Sequence, residues 1–214
     1  MRFAWTMVGT LAVVLSACGG SGSHCEEPAG DAAAYLGFVL GKAWDYDVSV
    51  GAATLSGTVR IAQSADPEYV TGIDALKMEI RQNGILIATR WFQVDPERGL
   101  LFLGEQVIEN SQQVDRRYLS PILLVPFPLE PKCSATPQSW STASDIEGGG
   151  SENHLFSNLG KAAHTVPAGE IDAFHLVHRR EIAGGPTFSY DEYFAPQRGW
   201  IEFELPDGNA WKLR

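Results

Sequence analysis

Apolar and polar residues alternate with a period of two through much of this chain, and this pattern constrains its fold most strongly. In segments 44–50 and 76–80, aromatic or aliphatic residues alternate with Asp, Ser, Lys or Glu. Successive side chains of a strand point to opposite faces, so the pattern predicts strands with one buried face. Asn83-Gly84 lies between two such runs and predicts a hairpin with a type I′ turn, because both residues tolerate positive φ.

Further along the chain the same criteria predict more strand and very little helix. Val59 and Ile61 mark a second strand, and 85–94 and 100–107 are further strands joined by a turn at 95–99. A short helix is predicted near 31–36, where three alanines favour helix and the next residue is a glycine that would end it.

Landmarks in the first half recur in the second half in the same order, which predicts an internal repeat. The matched positions are 73–78 with 171–176, Phe92 with Phe194, 96–99 with 196–199, and Trp44 with Trp140. We therefore expect two β-meander repeats, at about 35–110 and 120–214. Together they predict a mainly β fold, in which about ten or eleven strands form a single antiparallel curved sheet or an open barrel.

The N-terminal residues 1–17 have one basic residue and then an apolar stretch too short for a permanent membrane span, as in a secretory signal peptide. Leu15-Ser16-Ala17-Cys18 resembles the lipobox of bacterial lipoproteins; the alternative is a plain signal peptide with a cysteine nearby. The resemblance implies acylation, such as palmitate, at Cys18, and a flexible tether over 18–34 before a β domain at 35–214. Gly19, where a retention signal would have Asp, points to the outer membrane.

Two further cysteines, Cys25 and Cys133, would remain after lipidation of the first one. An extracytoplasmic compartment is oxidising, so we expect a disulfide between them. The alternative is two unpaired cysteines whose Cα atoms lie too far apart to be bridged.

Three segments resemble signatures of uncharacterised bacterial envelope lipoproteins. Residues 35–46 are similar to the opening "Tyr-x-Pro-Leu-x-x-Gly-x-x-Trp-x-Tyr", with Gly37 and Phe38 in place of the proline and leucine. Residues 166–173 and 193–199 are similar to "Val-Pro-Ala-Gly-x-hydrophobic-x-Ala" and "Tyr-x-Ala-Pro-Gly-x-Gly". The resemblance implies a curved antiparallel β fold loosely like that of lipoprotein-carrier proteins, and it implies no activity.

The sequence carries no motif that predicts an enzyme or a cofactor. It contains no Gly-x-Ser-x-Gly, phosphate loop or dinucleotide fingerprint, and its net charge of -10 disfavours nucleic acid as a partner. His175 and His178 are three residues apart, which puts them on opposite faces of a strand. The repeat aligns His175 with an outward Lys77 and His178 with an inward Ile80, so no metal site is predicted.

Acidic residues in the last strands are predicted to be solvated. Asp191, Glu192, Glu202 and Glu204 give no sign of the two contrasting environments that an acid/base pair requires.

The aromatic residues permit two interpretations. They could line a concave face that binds an apolar or lipid-like ligand, or they could simply fill the core of a large sheet. The proline-rich segment 118–131 could be a lid over that face or a buried crossover. The residues assigned to a ligand site are Trp44, Trp91, Leu124, Phe127, Trp140, Phe174 and His178. The predicted function is therefore that of a non-enzymatic lipoprotein, whose partners are the membrane and either this ligand or another envelope protein.

Overall fold

The computed structural model describes residues 31–64, 75–109, 112–129, 138–205 and 208–214. These ranges contain one short helix and twelve strands. In chain order the elements are α1 Ala32–Leu36, β1 Ala43–Val50, β2 Ala53–Gln63, β3 Leu76–Gln82, β4 Ile85–Asp95, β5 Gly99–Glu109, β6 Gln112–Pro126, β7 Gln138–Asp145, β8 Ser151–Val166, β9 Gly169–Ile182, β10 Thr187–Ala195, β11 Gly199–Glu204 and β12 Ala210–Leu213.

All twelve strands belong to one antiparallel sheet in the order β6-β5-β4-β3-β2-β1-β12-β11-β10-β9-β8-β7. Neighbours in the sheet are neighbours in the chain, except where β1 pairs with β12 and joins the two halves. The predicted fold class is thereby confirmed, with twelve strands in place of ten or eleven and six in each half.

The two edge strands, β6 and β7, approach each other and leave a seam that side chains span. Ser144 Oγ accepts a hydrogen bond from the backbone N–H of Ser120 at 2.9 Å, and the Trp140 indole donates to the carbonyl of Leu123 at 3.1 Å. One isolated β-bridge at Tyr118 also crosses the seam. The sheet is therefore nearly closed and barrel-like, with an inner and an outer face.

Both the predicted hairpin and the predicted helix are confirmed. Asn83 and Gly84 have φ of 49° and 80° and connect β3 to β4. At α1, the carboxylate of Asp31 accepts a hydrogen bond from the N–H of Ala34 at 2.7 Å, and Gly37 ends the helix with φ of 74°. A side-chain cap such as Asp31 and a left-handed glycine such as Gly37 are the usual ways in which unpaired backbone groups at helix ends find partners.

Contacts with both halves of the sheet place α1 across one end of the barrel-like structure. The ring of Tyr35 packs edge-on against Phe127, just after β6, at 5.3 Å between centroids. Its carbonyl accepts a hydrogen bond from the N–H of Gln197 in the β10–β11 turn. A Cβ on Gly37 would lie 2.9 Å from the backbone N of Gly199, so the helix and this turn are in close contact.

The proline-rich segment is neither a lid nor a crossover: most of it forms β6. Pro121 and Pro126 lie within this strand, which is at the edge of the sheet, where a missing N–H is tolerated. Ile122 and Val125 are buried in the core, and Leu124 is half-buried between them. Register shifts against β5 let both buried side chains face inward despite their odd spacing.

Landmarks shared by the two halves lie on strands of the same rank and in matching register. Trp44 is on β1, the first strand of the first half, and Trp140 is on β7, the first strand of the second. The corresponding cross-strand partners are Leu76 with Phe92 and Asp95 with Gly99 in the first half, and Phe174 with Phe194 and Ala195 with Gly199 in the second. A duplication would produce this correspondence, and the duplication itself stays a prediction.

Candidate functional site

Charged side chains cluster on the inner face of the sheet, beside the apolar core. Glu105 on β5, Glu152 on β8 and Arg180 on β9 are only 1%, 2% and 4% exposed. Burying a charge is costly unless it is paired and hydrogen-bonded. We call these three residues, together with Arg90 and Arg116, the ionic cluster. The contacts within the ionic cluster therefore matter for the stability of the whole fold.

Arg180 is the centre of the ionic cluster. Its Nη2 and Nε lie 2.6 and 2.8 Å from the two carboxylate oxygens of Glu152, a bidentate pair, and its Nη1 lies 3.4 Å from Glu105 Oε1. Burial alone would lower the pKa of Arg180, but the hydrogen bonds to Glu152 and the charge of Glu105 raise it above the ordinary value. The guanidinium is therefore a permanent cation that is shared by two buried carboxylates.

The remaining cations complete the pairing of Glu105. Arg116 Nη1 and Arg90 Nε lie 3.0 and 3.2 Å from its two oxygens. Burial would raise the pKa of Glu105, but the charges of Arg90, Arg180 and Arg116 outweigh it and lower the pKa. Because β5 and β6 lie on one side of the seam and β8 and β9 on the other, the pairs Arg180–Glu105 and Arg116–Glu152 (3.5 Å) also hold the nearly closed sheet together.

A chain of hydrogen bonds leads from the ionic cluster through two histidines to Glu192. His154 Nε2 lies 3.2 Å from Glu152 Oε2, His154 Nδ1 lies 2.9 Å from His178 Nε2, and His178 Nδ1 lies 3.3 Å from Glu192 Oε1. The chain ends where the indole of Trp200 donates to Glu192 Oε2 at 3.0 Å.

Glu192 is thus inside the molecule, and the prediction that it is solvated was wrong. Its side chain is 14% exposed, whereas that of its neighbour Asp191 is 67% exposed and contacts His175 on the outer face. Burial would raise the pKa of Glu192, but the hydrogen bond and charge of His178 and the hydrogen bond from Trp200 lower it. His175 and His178 lie on opposite faces, as predicted.

A cavity of about 50 Å³ lies between this polar chain and the aromatic core, and it is partly open to solvent. Its lining combines aromatic and aliphatic side chains, which we call the apolar wall, with charged side chains, which we call the charged wall. The apolar wall includes Phe38, Trp44, Leu124 and Trp200, and the charged wall includes Arg90, Glu105, His178, Arg180 and Glu192. This volume holds a few water molecules, since one water needs roughly 10–15 Å³ of such space.

The structure brings three of the seven predicted ligand-site residues to this cavity: Trp44, Leu124 and His178. The other four lie elsewhere. Phe174 is buried in the core, Phe127 packs on the helix, Trp140 stacks on Phe156 at 5.0 Å, and Trp91 packs with Ala75 and Leu103 in a separate cluster. Trp91 alternates with the cavity-lining Arg90 and therefore points to the outer face.

The ionic cluster was not predicted from the sequence, although the strand positions of some of its residues indicated that they are buried. Glu152 and His154 share strand parity with the core residue Phe156, and Arg180 shares it with Leu176. A polar residue in phase with apolar ones marks a buried polar position. The signal at Glu105 was ambiguous: it shares strand parity with the core residue Val107 but also with Leu103 of the separate Trp91 cluster, because a register shift between β4 and β5 changes the inward parity along β5.

Several predictions fall on residues outside the ranges that the structure describes. These are the lipidation site Cys18 and the proposed disulfide partners Cys25 and Cys133. Within the described ranges, no helix is long and apolar enough to cross a membrane. The same ranges contain no group of three or more His, Cys, Asp or Glu side chains arranged to hold a metal ion.

No family model matches this chain, and no curated protein matches it. The crystal structure of a candidate lipoprotein from Parabacteroides distasonis, at 2.70 Å resolution, is similar over 84% of this chain and 97% of its own. The two chains are 11% identical and their TM-score is 0.40.

Proposed function

We propose that the protein is a lipid-anchored bacterial envelope lipoprotein that acts by binding and not by catalysis. The lipobox Leu15-Ser16-Ala17-Cys18 supports the anchor, with Cys18 as the first residue of the mature chain. The partners of this proposal are the membrane, most simply the outer membrane, and a ligand in the interior. Mass spectrometry of the membrane fraction should find acyl chains on Cys18 and a peptide linking Cys25 to Cys133. An unmodified Cys18, or its loss together with a complete signal peptide, would contradict the anchor.

The observation that carries the binding proposal is the cavity with one aromatic and one charged wall. Ligand sites are commonly concave and mostly apolar, with a few placed polar groups that fix orientation. The proposed ligand is accordingly amphipathic: an apolar part would contact Trp44 and Leu124, and a polar group would face Glu192 and His178. About 50 Å³ accommodates one group of such a ligand, so the rest would extend through the open side.

Titration with the fluorescent probe N-phenyl-1-naphthylamine tests this proposal. Leu124→Asp places a charge on the apolar wall and should weaken probe binding by at least tenfold. Leu119→Asp is a matched control, because Leu119 lies on the same strand and is 66% exposed. It should leave binding unchanged.

Leu124→Trp is the second variant, because it fills the cavity without adding a charge. Circular dichroism must show that each variant keeps the β fold. Probe binding that is equal in all four proteins, or absent from the wild type, would contradict an interior ligand site.

The alternative function is that of a structural or assembly partner of another envelope protein. The observation that favours it is a group of exposed apolar side chains near the β3–β4 and β5–β6 turns. Ile85, Leu86 and Ile108 are 69%, 42% and 47% exposed. Large exposed apolar patches mark protein interfaces. Replacing Ile85 and Leu86 with Ser would abolish partner recovery under this alternative and leave probe binding intact.

A further inference from the structure

The buried histidine pair, His154 and His178, lies between two carboxylates. This arrangement determines how many protons the two imidazole rings must carry. Three hydrogen bonds run in sequence: Glu152 to His154 (3.2 Å), His154 to His178 (2.9 Å) and His178 to Glu192 (3.3 Å). Each hydrogen bond needs one proton between its two heavy atoms. Ionised carboxylates only accept hydrogen bonds, so the imidazole nitrogens must supply all three protons.

Two neutral imidazoles supply only two protons, because each has one N–H and one acceptor nitrogen. We infer that His154 and His178 together bind one additional proton at neutral pH, so that the pair carries a single positive charge between Glu152 and Glu192. This is a proton-binding site inside the sheet, and it does not depend on the proposed ligand.

The additional proton resides on His178, because its side chain is 10% exposed and that of His154 only 2%, and a charge is costlier on the more deeply buried ring. Burial lowers the pKa of His154 more than its hydrogen bond to Glu152 raises it, so His154 stays neutral. Its Nε2–H donates to Glu152, and its Nδ1 accepts from His178 Nε2–H. His178 then carries a second N–H on Nδ1, which donates to Glu192. Both carboxylates are ionised, because their hydrogen bonds and neighbouring charges lower each pKa below its ordinary value.

Charged and titratable groups on the neighbouring strands surround the pair. Four carboxylates face the cavity or the ionic cluster, on β5, β8, β10 and β11, against three guanidinium groups on β4, β6 and β9. The carboxylates are Glu105, Glu152, Glu192 and Glu204, and the cations are Arg90, Arg116 and Arg180. Tyr118 on β6 is neutral, because burial raises its pKa well above the ordinary value, and the ring of Tyr190 on β10 packs on His178.

Nitrogen-15 NMR of the histidine side chains tests the inference on the whole mature protein. At pH 7.5, His178 should have both nitrogens protonated and His154 only Nε2. Glu192→Gln should change this, because the amide of glutamine can donate to His178 Nδ1 and complete the chain with two neutral rings. We therefore expect His178 Nδ1 to lose its proton in this variant, with the hydrogen bond between the rings retained.

Glu202→Gln is the matched control, because Glu202 contacts His164 at 2.8 Å on the outer face, away from the pair. It should leave both buried rings unchanged. A wild-type spectrum in which both buried histidines have a single N–H would overturn the inference, and so would a folded Glu192→Gln protein in which His178 keeps two protons. If that variant fails to fold, the wild-type spectrum alone decides.

Discussion

At the scale of single residues, Arg180 has the largest electrostatic role. It pairs with two carboxylates that would otherwise be buried without sufficient compensation, and it joins β9 to both β5 and β8. A buried ion pair is weak evidence of net stabilisation, because desolvation opposes the attraction. Removing one partner is nevertheless strongly destabilising, because the other charge stays buried without a partner. The fold therefore depends on Arg180 more than the strength of any one hydrogen bond would suggest.

Arg180→Met should lower the free energy of unfolding by about 3–5 kcal/mol, since Glu152 and Glu105 lose their shared cation. Arg179→Met provides the control on the adjacent position. Arg179 is on the outer face, its side chain is 57% exposed, and it pairs with Glu181 at 2.8 Å. Its loss should cost less than about 1 kcal/mol. Urea denaturation measures both, and equal losses in the two variants would contradict a structural role for the ionic cluster.

Acid should destabilise the protein, because folding lowers the pKa values of several buried groups. The pKa of His154 is lower in the folded state than in the unfolded chain, where it is about 6.5. The unfolded state therefore takes up a proton that the folded state resists, and stability decreases as pH falls below about 6.5. The pKa values of Glu105, Glu152 and Glu192 are also lowered by folding, so the stability they contribute above about pH 4.3 is lost at lower pH.

Urea midpoints measured from about pH 6 to pH 4 should thus decrease continuously, because in this range the unfolded chain binds more protons than the folded protein even when the folded histidine pair holds one. His154→Gln should flatten the dependence of the urea midpoint on pH between about pH 6.5 and 5, because protonation of His154 in the unfolded chain causes the decrease in this range. A midpoint that is constant or rises between about pH 6 and pH 4 would contradict the assigned protonation states.

At the scale of elements, period-two alternation and turn chemistry predicted most strands and the one helix from the sequence. The β3–β4 hairpin at Asn83-Gly84 and the helix end at Gly37 were both predictable, because local sequence determines them. Inward and outward faces were predictable only where the register is regular. Glu105 lies on a strand whose register shifts against both neighbours, and its burial depends on contacts with β9 that are distant in the chain.

Packing of α1 against the β10–β11 turn can be tested at Gly37. A Cβ there would lie 2.9 Å from the backbone N of Gly199 and 3.0 Å from the carbonyl carbon of Arg198. Gly41 has a similar φ of 83° but open space around it. Both Gly→Ala variants pay the conformational cost of positive φ, about 1–2 kcal/mol. Gly37→Ala should lose clearly more stability than Gly41→Ala in thermal denaturation, and equal losses would contradict the close contact.

At the scale of the whole molecule, the sheet is closed by two different kinds of interaction. Backbone pairing of β1 with β12 joins the halves at one junction, and this pairing preserves the strand order that a duplicated meander requires. At the other junction, side chains span the seam, and the ionic cluster lies directly inside it. The interior cavity lies beside this cluster and is lined both by its charged side chains and by aromatic ones.

The binding of an amphipathic ligand in that cavity is the central claim, and tryptophan indole N–H signals test it most directly. Trp44 and Trp200 line the cavity, whereas Trp91 packs in a separate outer cluster. Titration of the nitrogen-15 labelled mature protein with N-phenyl-1-naphthylamine should shift the indole signals of Trp44 and Trp200 and leave that of Trp91 unchanged. Shifts confined to Trp91, or to the amides of Ile85 and Leu86, would contradict an interior site and favour a surface interaction.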